Sequence, residues 1–183
     1  MENRDATAAV IGAGDFIGAA IAKKFASEGF TVFVGRRKGE KLAPLVAEIE
    51  AAGGRVVGRS LDARKEEEIT AFLQDADVAA PLEVCVFNIG ANVNFPLLET
   101  TERVFRKVWE MACYAGFLTG REAARLMLPR GHGNIFFYRR HRRNAWRDRL
   151  CRLCQRQIRP ARRRAERGTR ARPEGHPRRA PGH

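Results

Sequence analysis

The stretch Ala8-Ala9-Val10-Ile11-Gly12-Ala13-Gly14-Asp15-Phe16-Ile17-Gly18 decides the fold. Four apolar residues running directly into glycines read as a buried strand that feeds a tight turn. Large apolar residues then recur at Ile17, Ile21 and Phe25, with Ala19, Ala20 and Ala22 between them, a helical stripe that Gly29 stops. A strand, a glycine-rich turn and a helix in that order aim the helix's free N–H groups and its dipole at the turn, where the backbone can approach a pyrophosphate. Taken alone, the same turn also fits an ordinary strand-to-helix connection. Its spacing is not the common dinucleotide one, because Phe16 rather than glycine stands two residues before Gly18.

The pattern repeats outward from this unit. Thr31-Val32-Phe33-Val34 is a second strand, and Leu42, Leu45, Val46 and Ile49 follow at helical spacing up to Gly53-Gly54. Arg55 to Arg59 gives a third strand, and Ile69, Phe72 and Leu73 a third helix. Leu82 to Phe87 gives a fourth strand, apolar enough to be buried on both faces. A long helix is predicted over 102–127 and a fifth strand over 134–137. Strands alternating with helices imply right-handed crossovers, so the predicted fold class is α/β, a doubly wound parallel sheet ordered 3-2-1-4-5 with the fifth strand at an edge. Ligands of such sheets sit at the carboxyl ends of the strands.

Those ends carry the candidate site. The glycine-rich turn offers Gly12, Gly14, Asp15, Phe16, Ile17 and Gly18. The second strand ends in Gly35-Arg36-Arg37-Lys38, where an acidic residue would otherwise bond a ribose 2′-hydroxyl. Cations suit a 2′-phosphate, which Arg36 and Arg37 can hold with paired hydrogen bonds, so NADP is preferred over NAD as the cofactor. The competing reading is a solvated charge run. Asp62-Ala63 closes the third strand and Asn88-Ile89-Gly90 the fourth.

In order and spacing, residues 8–137 resemble the N-terminal, Rossmann-like part of a short-chain dehydrogenase/reductase. The resemblance implies that the glycine-rich turn holds the pyrophosphate, that Asp62 meets the adenine and that Asn88 to Gly90 shape the fourth turn. It also implies hydride transfer between a nicotinamide and a small-molecule carbonyl or alcohol, and a homo-oligomer. One departure falls in the long helix, where Cys113, ahead of Tyr114-Ala115-Gly116, replaces the family's active-site Asn. Cys113 and Cys85 read as packed residues, since nothing basic lies beside Cys113 to make it a nucleophile.

Charge divides the chain. Of 183 residues, 44% are apolar and 30% charged, which favours one domain with one core. The net charge of +13 would suit a nucleic-acid binder, but residues 1–137 carry 17 Lys and Arg against 18 acids. Residues 138–183 carry 17 Arg, no Lys and 3 acids, and all eleven Phe precede them. The expected domains are therefore 1–137, binding NADP(H), and 138–183, an irregular or disordered Arg-rich tail forming no domain.

The tail also lacks the Tyr-x-x-x-Lys helix that the resemblance requires. Shifted by one base, with Arg as CGN and Leu as CTN, Leu153 admits Phe, Ser, Tyr or Cys, Gln155 Ser or Asn, and Gln157 Lys or Arg, so a Tyr/Phe-x-Ser-x-Lys helix is allowed there. Arg170 to His176 likewise admits Glu-Leu-Gly-Pro-Lys-Gly-Ile, ending nineteen positions past that Lys. The tail is expected to be out-of-frame translation beginning near Phe137/Tyr138. Cys151-x-x-Cys154 and His141 are then accidents of the frame, and no metal site is expected.

The functional expectation is an NADP(H)-dependent oxidoreductase by descent, inactive as written, with its catalytic residues unassigned. The alternatives are a nucleic-acid-binding protein using the Arg-rich tail, whose binding would be non-specific, and a dinucleotide-sensing domain without chemistry. No run approaches the ~20 apolar residues of a membrane span, and Met1 to Thr7 is unlike a signal peptide, so a cytoplasmic protein without membrane partners is expected.

Overall fold

A computed structural model describes residues 3–90 and 96–138. Its strands are β1 (Thr7–Ile11), β2 (Thr31–Arg36), β3 (Arg55–Ser60), β4 (Leu82–Phe87) and β5 (Asn134–Phe137). The helices are α1 (Ile17–Ser27), α2 (Ala43–Ala51), α3 (Glu66–Ala79), α4 (Glu102–Trp109) and α5 (Ala115–Met127). All strand pairs are parallel and the order is β3-β2-β1-β4-β5, as the alternation of the sequence predicts. The expectations for Cys151, Cys154, His141 and the Arg-rich tail fall outside the described residues.

Every residue of β1 is buried, and its side chains alternate between two cores. Ala9 and Ile11 join Phe33, Phe72, Leu73 and Phe87 on the side covered by α3 and α5. Ala8 and Val10 join Val32, Val34, Ala22 and Leu42 beneath α1 and α2. A parallel strand covered by crossovers on both faces has no solvent side, hence its unbroken apolar run. Cys85 of β4 is fully buried, and burial pushes its thiol up to about 12, which fits the packed role read from the sequence.

Two details differ from the sequence reading. Strands β2 and β3 run further than expected, to Arg36 and Ser60, so Gly35 and Arg36 lie inside a strand. The long helix is interrupted by a π-helical turn, Glu110–Tyr114, between α4 and α5. One extra residue in a turn rotates the following face without breaking the helix, and apolar spacing alone does not register it. The two helices it separates also differ in burial: α4 has no buried residue, whereas α5 buries Leu118, Ala123 and Met127.

The end of the sheet remote from the turns is clamped. Asp77 accepts from the Leu82 amide (2.9 Å) and from Arg130 through Nη1 (3.0 Å) and Nη2 (2.6 Å), while Arg130 Nη2 also reaches the Leu82 carbonyl (3.2 Å). This ties α3, the start of β4 and the turn leading into β5 to one another.

Candidate functional site

After Ile11 the chain folds back on itself. The amides of Gly12 and Ala13 both donate to the Gly35 carbonyl (2.8 and 3.1 Å), and that of Gly14 donates to Gly12 (2.8 Å). Gly12 has φ +88°, and a Cβ there would lie 3.0 Å from the Asn88 backbone and 2.9 Å from Ile89. A Cβ on Gly18 would lie 2.6 Å from the Gly12 carbonyl oxygen, so only glycine lets α1 pack this closely on the turn. Gly14 is the opposite case, with nothing within 4 Å of an added Cβ. Two glycines therefore serve packing and one leaves the backbone open to a ligand.

The neighbouring strand ends converge on this turn. The Asn88 amide donates to the Ile11 carbonyl (2.8 Å), and its side-chain Nδ2 donates to the Gly12 carbonyl (2.9 Å), stitching β4 to the turn. Ile89 packs against the core and Gly90 is open. Phe16 precedes α1 with its side chain 87% exposed, and Ile17 beside it is partly exposed.

The cations of β2 divide their roles. Arg36 Nη1 donates to Asp15 Oδ1 at 2.7 Å, so two candidates read separately from the sequence form one ion pair. Arg37 is exposed and makes no ion pair among the described residues; its carbonyl accepts from Ser60 Oγ (3.0 Å). Asp62 is partly buried and Ala63 fully buried. The Arg64 side chain grips the Asp62 carboxylate, and its hydrogen bond is the main force holding that carboxyl below its ordinary value, against the opposing effect of burial.

Arg64 was not singled out by the sequence reading. Its signal was the Asp-x-Arg spacing, in which the Arg64 amide also reaches Asp62 Oδ1 (3.2 Å), a local turn that short polar side chains favour. A cleft lined by Asp62, Arg64, Lys65, Trp109, Glu110 and Tyr114 opens beside it. Trp109 and Tyr114 stack across the π-helical turn with ring centroids 5.6 Å apart, and Cys113 lies half-buried within that turn. No helix among the described residues is long and apolar enough to cross a membrane.

A parallel sheet in this order, with a glycine turn at the switch between β1 and β4, defines a Rossmann-like α/β protein. Within that class, the chain belongs to the short chain dehydrogenase family, which it matches over residues 6–138. It is similar to a solved short-chain dehydrogenase of Rhodopseudomonas palustris, with 67% identity and a TM-score of 0.76, covering 85% of this chain and 76% of that one. A metagenomic short-chain oxidoreductase solved in complex with NADP is 31% identical, with a TM-score of 0.69 over 74% of this chain and 62% of that one. Among curated proteins, the galactitol 2-dehydrogenase (L-tagatose-forming) of Cereibacter sphaeroides is 33% identical over 131 residues, 71% of this chain and 50% of the relative. The chain spans about half the length of the curated relatives it matches.

Proposed function

We propose that residues 1–137 bind NADP(H), and that the protein descends from an oxidoreductase acting on a small carbonyl or alcohol. The observation that carries this reading is the open Gly14 backbone between the packed Gly12 and Gly18, next to the exposed Arg37. The open space that a side chain at Gly14 would take up fits a pyrophosphate in backbone contact. The solved relative in complex with NADP supports the same choice of cofactor. When bound, the nicotinamide gives or takes a hydride at a carbonyl or alcohol carbon. The chain's own part is to hold the pyrophosphate along Gly12 to Gly18, offer Arg37 to the 2′-phosphate, and line the adenine end with Asp62, Ala63 and the turn Asn88-Ile89-Gly90. Arg36 orders the same corner by holding Asp15.

Binding and turnover separate in this reading. The family match ends at residue 138, the position at which composition turns from balanced charge to a large excess of Arg. Tyr138 to His183 is read as out-of-frame, supplying no Tyr-x-x-x-Lys proton relay, so the chain retains the cofactor end without catalysis. Titration with NADPH and NADH, followed by the fluorescence of the reduced nicotinamide, tests the first half. NADPH binds more tightly, Arg37→Ala weakens NADPH by about tenfold, and NADH is nearly unaffected. An NADH preference overturns the assignment. Hydride transfer on a panel of carbonyl substrates, compared with a chain whose frame is restored after Phe137, tests the second half. Equal turnover by the two chains refutes the frame account.

A further inference from the structure

Two carboxylates and four cations meet at the ends of β2 and β3. The Leu61 amide donates to the Arg36 carbonyl (3.0 Å) and Ser60 Oγ to that of Arg37 (3.0 Å), so Arg36 and Arg37 lie against the segment that ends in Asp62. Each acid has its own guanidinium. Asp15 is taken by Arg36, and Asp62 by Arg64 through Nε to Oδ1 (2.9 Å) and Oδ2 (3.2 Å) and through Nη2 to Oδ2 (2.5 Å). Glu68, whose carboxylate meets the same segment, is occupied by Lys65 Nζ (2.8 Å) and the Asp62 amide (2.7 Å). Glu110 lines the same cleft, and its charge also acts on Arg64. Arg37 and Lys38 make no ion pair among the described residues, and the charge of Arg37 reaches Asp62.

We propose that Arg64 sets the selectivity of this site for a 2′-phosphorylated dinucleotide by cancelling the charge of Asp62. The proposal rests on the NADP(H) reading above. A carboxylate at the adenine end, close enough for the charge of Arg37 to act on it, repels a 2′-phosphate where an arginine attracts it, and partial burial lengthens the reach of both. Asp62 is ionised at neutral pH, as a carboxyl with its ordinary value of ~3.9 already is, and the Arg64 hydrogen bond lowers it further. Left uncompensated, it would offset Arg37. The bidentate grip of Arg64 removes that charge from the balance while leaving the carboxylate in place for the adenine end. Arg36 does the same for Asp15, so the field presented to the ligand is that of Arg37 and Lys38.

The experiment measures dissociation constants of the full chain for NADPH and NADH by nicotinamide fluorescence and follows their ratio. Arg64→Gln lowers the preference for NADPH by about tenfold, almost all of it through weaker NADPH binding. Arg64→Lys retains the charge and stays within about threefold of the parent ratio. Adding Asp62→Asn to Arg64→Gln restores the ratio to within about threefold, because the charge that Arg64 cancels is then gone. A parent without NADPH preference overturns the cofactor reading itself. A parent preference that survives Arg64→Gln unchanged overturns only the role of Arg64, and a loss that Asp62→Asn does not repair overturns action through Asp62. Should Arg64→Gln not fold, Asp62→Asn alone is compared with the double variant. Because the single variant leaves Arg64 unpaired, its ratio exceeds that of the double, and the double stays within about threefold of the parent; a double lowered about tenfold below the parent overturns the proposal, since Arg64 would then act on the phosphate itself.

Discussion

β1 and β5 belong to one sheet and differ in almost everything else. β1 is buried throughout and flanked by strands on both sides, whereas β5 pairs only with β4 among the described residues and alternates between exposed and half-buried positions. Ile135 and Phe137 pack on the α5 side, with Phe137 tilted against Phe87 at 6.0 Å, while Phe136 is 51% exposed on the other face. The difference shows that a strand's apolar run reports the covering it is built for. Asn134 to Phe137 has the composition of a strand covered on both faces, and described structure covers one.

The largest effect that separates the two strands comes from truncating each. Ile11→Ala leaves a cavity in the α3/α5 core and costs about 2–5 kcal/mol in urea denaturation, whereas Phe136→Ala costs under about 1 kcal/mol. Equal costs would mean that β5 is covered after all. An intermediate effect is expected at the clamp that carries the chain into β5. Arg130→Met lowers stability by about 1–3 kcal/mol at pH 7, leaving a partly buried Asp77 without its main partner.

That loss is also pH-dependent, and its sign is fixed. Burial pushes the Asp77 carboxyl up, but the Arg130 guanidinium and the Leu82 amide outweigh it, so the folded value is lowered. The stabilisation is therefore complete above the unfolded carboxylate value of ~3.9 and disappears as the pH falls through the folded value. The gap between parent and Arg130→Met should close on acidification; a gap that widens in acid would contradict the clamp. The smallest thermodynamic effect is expected from Phe136→Lys, which changes stability by no more than about 0.5 kcal/mol yet reduces self-association, since a charge on an edge strand opposes pairing with another copy. Light scattering that is unchanged by this substitution would show that the edge is already protected.

The sheet was legible in the sequence because buried parallel strands leave continuous apolar runs and glycines punctuate them, as at Ile11-Gly12 and Phe25 to Gly29. The positions of Gly12, Gly14 and Gly18 in the turn were equally legible, although not the division between packing and openness, which depends on how near Asn88 and the Gly12 carbonyl come. The π-helical turn was hidden because the apolar spacing of 102–127 suits one continuous helix. The pairing of Arg36 with Asp15 was hidden as well, since ion pairs between residues 21 apart depend on strand order and side-chain reach, neither of which local spacing encodes.

The stitch from Asn88 to Gly12 has a consequence in time. It joins groups 76 residues apart, across a crossover that contains two complete strands and three helices. Contacts of such separation pay the full entropy of loop closure before they return anything, and they govern the folding rate. The glycine turn gains its bonds to the Gly35 carbonyl when β2 pairs with β1, but its shape is fixed only when β4 docks. Competence to bind a dinucleotide should therefore emerge with the slowest long-range step of folding, making ligand capture a clock for completion of the sheet rather than for its nucleation.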